Sequence, residues 1–238
     1  MDSIEMARQL IAQARTNGRS ALDEPTAQRV LKGYGIRAPQ SMVVHTEAEL
    51  DEAFRQFSGP VVLKLISPEV LHKSDFGAVV LGLRDAESIK ASMREISKRC
   101  RDQGYAIDGF LLEEMGDKGH EIVVGGYRDE TFGPVIMFGL GGIFVEVLQD
   151  VTFRICPITE ADAREMIQDL RGASLLKGAR GGINVPDEVI VETLMTIGGE
   201  QGLFYTLADS IEELDINPLL ATAQGVIALD VRIVLAEC

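Results

Sequence analysis

Gly59-Pro60-Val61-Val62-Leu63-Lys64-Leu65-Ile66, followed by Ser67-Pro68-Glu69-Val70-Leu71-His72-Lys73-Ser74-Asp75-Phe76-Gly77-Ala78, decides how the chain is read. Val61–Ile66 is an apolar run of strand length, and Ala78–Leu83 is a second strand. The link between them is too long and too polar for a tight hairpin. Lys64 sits inside the apolar run, where an ammonium needs a partner. A nucleotide phosphate is one such partner; a solvent-facing sheet surface is the alternative. His72, Lys73 and Ser74 near Gly77 could wrap phosphate. His72 could equally be an exposed loop histidine, its protonation set by Lys73 and Asp75.

Helix and strand patterns alternate outward from this point, which gives an α/β or α+β class. Upstream, residues 4–15 carry Ile4, Leu10, Ile11 and Ala14 on helical spacing, stopped by Gly18. Asp23-Glu24-Pro25 starts a helix that ends in Gly33-Tyr34-Gly35. Gln40–His45 reads as a strand, and Thr46 with Glu49 as a capping box for a helix to about Phe57. Downstream, Asp85 opens a helix that Gly104 closes. Phe110–Met115, Glu121–Tyr127 and Val135–Phe138 follow as strands. Thr159 with Asp162 starts a helix to Leu170, and 172–184 reads as a glycine-bearing loop. Pro186 opens a long helix to about Leu207. Ile211–Ile216 and Val226–Leu235 close the chain as strands. The break at Gly116–Gly119 predicts two lobes, 1–115 (with a mobile loop over 67–77) and 116–238.

The 238 residues are 46% hydrophobic, enough for a core without disulfide or zinc staples. No apolar run reaches the roughly 20 residues that a membrane helix needs. The N-terminus has no apolar signal-peptide core. Twenty-three basic against 37 acidic residues leave a net charge of −14. Such a surface repels nucleic acid and anionic membranes. Cys100, Cys156 and Cys238 are odd in number and far apart, which suits a reducing cytoplasm.

Two further stretches carry chemistry. Phe138-Gly139-Leu140-Gly141-Gly142-Ile143-Phe144-Val145-Glu146 follows a strand, and its glycines allow close backbone approach to a ligand or simply a sharp turn. Glu213-Leu214-Asp215-Ile216-Asn217-Pro218-Leu219 places Asp215 and Asn217 on one strand face. Ala228-Leu229-Asp230 can pair beside it. Two carboxylates and an amide oxygen suit Mg²⁺ held jointly with substrate phosphates. A solvated acidic edge is the competing reading.

These stretches, with Leu112-Glu113-Glu114-Met115 and Gly119-His120-Glu121, occur in an order that resembles one family over nearly the whole chain. It is the ATP-grasp β subunit of ADP-forming acyl-CoA synthetases, of the acetate–CoA ligase type related to succinyl-CoA synthetase. The resemblance implies an α/β ATP-grasp fold of two α+β lobes with ATP/ADP bound between them. It implies interconversion of acyl-CoA, ADP and phosphate with acid, CoA and ATP through a phosphohistidine. In that reading Lys64 and Lys73 hold nucleotide phosphates. Glu113, Glu114 and Met115 form the hinge that meets adenine, with Glu121 near the ribose. Gly139, Gly141 and Gly142 line the phosphate cleft. Arg154 steadies the transferring phosphoryl group. Asp215, Asn217 and Asp230 place Mg²⁺, and His72 is the mobile phosphohistidine. His45 and His120 lie outside any such setting and read as structural.

CoA-binding and ligase parts are absent from the chain, so the resemblance implies an α subunit that carries them, in a hetero-oligomer. The rival expectation is a non-catalytic nucleotide-binding regulatory module, which would need neither His72 nor the metal set.

Overall fold

The computed structural model describes residues 2–237 except 71, 72, 74, 117, 180 and 181, and except the side chains of 143 and 146. The chain forms two compact units, residues 39–116 and residues 1–38 with 117–238.

The smaller unit is a four-stranded antiparallel sheet built from β1 (Ser41–Val44), β2 (Val61–Ile66), β3 (Val79–Leu83) and β4 (Gly109–Glu114). The spatial order is β1-β4-β2-β3. Two helices, α3 (Glu47–Phe54) and α4 (Ala86–Gln103), cover one face. In α4 the buried stripe Ile89, Met93, Ile96 and Cys100 has helical spacing. Asp85 caps its start by accepting the Ser88 N–H, and Gly104 ends it with φ +76°. Alternation along the strands sends Leu63, Leu65, Phe110 and Leu112 into this core. Lys64 and Glu113 therefore lie on the opposite face.

The larger unit holds a sheet in the order β10-β8-β5-β6-β7, with β9 paired to β8. Its strands are β5 (His120–Asp129), β6 (Gly133–Leu140), β7 (Val151–Ile155), β8 (Ile211–Thr222), β9 (Gly225–Ala228) and β10 (Val231–Leu235). Helices α1 (Ser3–Thr16), α2 (Glu24–Gly33), α6 (Glu160–Asp169) and α8 (Asp187–Gly198) share a core with one face of it, through Ile11, Leu31, Met166 and Leu194 against Ile122, Phe138 and Ile216. The Thr159–Asp162 capping box at α6 forms as its residue types predict. Short α5 (Ile143–Glu146), α7 (Ala173–Leu176) and α9 (Leu203–Thr206) complete the unit. Among the described residues no helix is long and apolar enough to cross a membrane.

Three expectations differ from the structure. The sequence boundary after residue 115 groups the N-terminal helices with the first lobe, whereas residues 1–38 cluster with the larger unit. The reason is that Leu22 N–H donates to Ile233 O (3.0 Å) while α1 and α2 feed the larger core. The long helix from Pro186 stops at Gly198 and resumes as α9. The last strand is two, β9 and β10, separated at Leu229 and Asp230.

Candidate functional site

In the smaller unit Lys64 and Glu113 form a buried ion pair, 6% and 2% exposed. Val62 stands opposite Glu113 and Lys64 opposite Leu111, so the pair runs diagonally between β2 and β4. The lysine thus has a carboxylate partner within the protein, in addition to any phosphate. The solvated-face alternative for Lys64 is excluded by its burial.

Just beyond Glu113 the hinge residues Glu114 and Met115 are exposed. Their N–H groups are engaged, Glu114 by Gln40 O (2.9 Å) and Met115 by Pro60 O (3.1 Å). Lys73 is half-buried, and its carbonyl accepts the Ala78 N–H at 2.7 Å. His72 lies outside the described residues.

In the larger unit one sheet face turns away from the helices. Arg232, Asp215, Gly125, Met137 and Phe153 face each other in register across it. Asn217 follows the core residue Ile216 and so projects to Asp215's side. Its N–H donates to Asp230 O at 3.2 Å, and Leu229 N–H donates to Pro218 O at 3.0 Å. This ladder sets Asp230 beside Asn217, as the paired-strand reading expects. Asp230 Oδ1 accepts the Val231 N–H at 3.0 Å.

The three residues offer two carboxylates and one amide oxygen. Among the described residues no group of three or more His, Cys, Asp or Glu side chains is placed to hold a metal. An all-protein cage is therefore not formed here. The oxygen donors fit Mg²⁺, which keeps waters and takes substrate phosphates as ligands.

Glu121 begins the next part of this unit. Its carbonyl accepts the Gly141 N–H at 2.8 Å. A Cβ on Gly141 would come within 2.9 Å of Glu121 Cβ, and one on Gly139 within 2.9 Å of Asp150 O. Those two glycines are required by the protein's own packing. Gly142 differs: its φ is +60°, and a Cβ there would meet nothing closer than Glu121 Oε2 at 3.8 Å.

Arg154 is not brought to this group. It stands opposite Ile136, a core residue, and so faces α6. There it pairs with Asp169 (2.8 Å) and Glu165 (3.4 Å). The Asp169 hydrogen bond raises the guanidinium pKa above its ordinary value against some desolvation, with Glu165 adding to it. The cation that does share Asp215's face is Arg232, whose Nη2 donates to Glu213 at 2.9 Å. Sequence reading passed over it; its place between the core residues Val231 and Ile233 was the available signal.

His45 and His120 have structural partners. His45 Nδ1 lies 3.0 Å from Asp108 O, and His120 Nε2 lies 2.7 Å from Ile183 O.

Comparison with known proteins gives consistent results. The family model described as an ATP-grasp domain matches residues 13–235. The Pyrococcus furiosus protein named acetate–CoA ligase [ADP-forming] I subunit beta is 39% identical, over 99% of this chain and all of its own length. Acetyl-coenzyme A synthetase 1 of Ca. Korarchaeum cryptofilum has been solved with coenzyme A, acetyl-coenzyme A and a phosphorylated phosphohistidine segment. That structure is 35% identical with TM-score 0.83, covering 97% of this chain and 100% of that one. The same protein with coenzyme A and Mg-AMPPCP has its phosphohistidine segment pointing towards the nucleotide binding site (36% identical, TM-score 0.80, covering 97% and 100%).

Proposed function

From the premise that this chain belongs to the ATP-grasp family, among the β subunits of ADP-forming acetate–CoA ligases, we propose that it is the nucleotide-handling half of an acid–CoA ligase. The observation that carries the proposal is the oxygen-donor set Asp215, Asn217 and Asp230, in a chain that aligns end to end with such a subunit.

In the proposed reaction an imidazole nitrogen of His72 attacks the γ-phosphorus of ATP, and ADP leaves with the bond electrons. A carboxylate substrate then takes the phosphoryl group from His72, giving acyl phosphate. The CoA thiol, losing its proton, attacks the acyl carbon; phosphate departs and acyl-CoA forms. Every step runs in reverse from acyl-CoA, phosphate and ADP. Histidine suits the task because imidazole is a good nucleophile at neutral pH and leaves readily when phosphorylated.

Phosphoryl transfer needs positioning and charge stabilisation more than covalent help. Lys64 and Lys73 hold phosphate oxygens, with Glu113 orienting the Lys64 ammonium. Glu113, Glu114 and Met115 present adenine contacts, for which the engaged N–H groups of Glu114 and Met115 leave carbonyl oxygens and the Glu114 side chain. Glu121 takes the ribose. Asp215, Asn217 and Asp230 would hold Mg²⁺, which neutralises phosphate charge when bound. The acid and CoA belong to an α subunit carrying CoA-binding and ligase parts. The spaced cysteines suit a cytoplasmic enzyme.

The test is γ-labelled ATP with Mg²⁺ and the α partner. The expected product is acid-labile, base-stable label on the chain, lost in His72→Asn and kept in His120→Asn. Full acyl-CoA turnover by His72→Asn would overturn the proposal.

A further inference from the structure

The connection from β2 to β3 is tied down at both of its legs. On the first, Val70 is buried in the smaller core. Glu69 Oε2 there accepts the Ala106 N–H and the Ser67 hydroxyl, each at 3.2 Å. On the second, Ala78 is fully buried, and Phe76 stacks at a tilt on Tyr105 with ring centroids 5.7 Å apart. Arg99, from the last turns of α4, donates through Nη1 to the carbonyls of Phe76 (3.1 Å) and Gly77 (2.7 Å). Its Nη2 donates to Glu95 at 2.6 Å, one turn earlier, so the guanidinium is held from both sides. Gly77 has φ +68°, and a Cβ there would run into Arg99 Nη1. Glycine and arginine are thus matched: the chain turns left-handed where the guanidinium takes two successive carbonyls.

We infer that Arg99 is a positioning residue for phosphoryl transfer, fixing the leg of the connection that follows His72. This rests on the reading of His72 as the phosphoryl carrier. A carrier must present its imbedded imidazole in line with a phosphorus atom, and misplacement by about 1 Å can cost a hundredfold in rate. The fixed legs supply that reference, since both are anchored to α4 and the turn after it. Arg99 lies outside the nucleotide-contacting residues, so its loss acts on the transfer step and not on nucleotide affinity. Planar guanidinium geometry explains why an arginine is used: one nitrogen serves two carbonyls while the other holds Glu95.

The experiment compares parent, Arg99→Ala and Arg99→Lys chains, each assembled with the α partner. It measures the single-turnover rate of label transfer from γ-labelled ATP to His72, nucleotide affinity by calorimetry, and melting temperature. The expected result for Arg99→Ala is a transfer rate reduced about tenfold or more, as misplacement of the carrier implies. Nucleotide affinity stays within about twofold of the parent, within the ordinary scatter of a contact not made. Added guanidinium restores part of the rate, and Arg99→Lys falls between parent and alanine. An Arg99→Ala chain that is labelled as fast as the parent overturns the inference and leaves the carrier reading standing. So does a rate loss that guanidinium and lysine do not relieve and that tracks the fall in melting temperature. A parent that takes no label at His72 overturns the carrier reading, and this inference with it.

Discussion

Lys64 of β2 and Glu113 of β4 make an ion pair on the sheet face opposite α3 and α4, and both side chains are almost wholly buried. Breaking such a pair from one side leaves a buried charge without its counter-ion and costs about 3–5 kcal/mol. Replacing both members by apolar residues is often close to neutral. Lys64→Ala is therefore expected to lose stability as well as a phosphate contact worth roughly 1.5–3 kcal/mol. The double variant Lys64→Met with Glu113→Leu separates the two effects. It should melt near the parent temperature yet bind nucleotide about tenfold or more weakly. Calorimetry and thermal melts on the three variants decide it. Parent-like affinity in the folded double variant removes Lys64 from the nucleotide site.

Asn217 gives the cleaner test of the metal assignment. Its structural bond is made by the backbone N–H to Asp230 O, which Asn217→Ala preserves. Asp230→Ala also removes the Oδ1 acceptor of Val231 N–H, a hydrogen bond worth about 1 kcal/mol. Asn217→Ala is expected to keep its melting temperature and lose Mg²⁺-dependent turnover. Asp230→Ala should lose turnover and melt slightly earlier. Unchanged Mg²⁺ dependence in Asn217→Ala would remove the amide from the metal set.

Residue types and spacing were enough to find the elements whose signals are local. The α4 stripe with its Asp85 and Gly104 caps, and the Thr159–Asp162 box, are written in adjacent residues and form as read. What was not legible depends on contacts between distant residues. Strand β7 went unread because its pattern is inverted: Phe153 and Ile155 are exposed while Thr152 and Arg154 turn toward α6. The same inversion took Arg154 away from the phosphoryl site the family resemblance assigned it. The break after α8 arises because the chain folds back on the helix end, where a Cβ on Gly202 would lie 2.7 Å from the Ile197 backbone. The partner of Lys64 emerges only once β4 is inserted between β1 and β2. Asp215, Asn217 and Asp230 could be read because the hairpin-like pairing that joins them is nearly local.

Cys156 supplies a pH prediction. Burial pushes its thiol up to about 12, from an ordinary value of 9.0, with a backbone hydrogen bond to Ile136 acting weakly the other way. Below pH 9 the thiol is protonated in both folded and unfolded chains and its contribution is constant. Between pH 9 and about 12 the unfolded chain releases this proton and the folded chain keeps it. The folded state then binds more protons, so stability falls as pH rises through that window. Urea unfolding should show the loss, and Cys156→Ala should reduce it. In a Cys238→Ser background, native protein at pH 8 should resist alkylation at Cys156. Rapid alkylation there, without unfolding, contradicts the assignment.

Gly141 and Gly142 are adjacent, and the structure assigns them different reasons to be glycine. At Gly141 a side chain would press on the Glu121 backbone, with its carbonyl carbon and oxygen both 3.0 Å from the added Cβ. Neither can retreat without breaking the Gly141 N–H bond to Glu121 O. Gly141→Ala is expected to destabilise the larger unit even with no ligand present. At Gly142 the obstacle is the left-handed φ of +60°, which costs an L-residue about 1–2 kcal/mol. Space is available there, so Gly142→Ala should fold and melt only modestly earlier. If Gly142 lines the phosphate cleft, added bulk must compete with nucleotide once the backbone cost is matched. Gly142→Val carries a comparable left-handed strain with two further methyl groups. It is expected to bind ATP several-fold more weakly than Gly142→Ala at a similar melting temperature. Equal affinity in the alanine and valine variants, measured by calorimetry, would take Gly142 out of the nucleotide cleft.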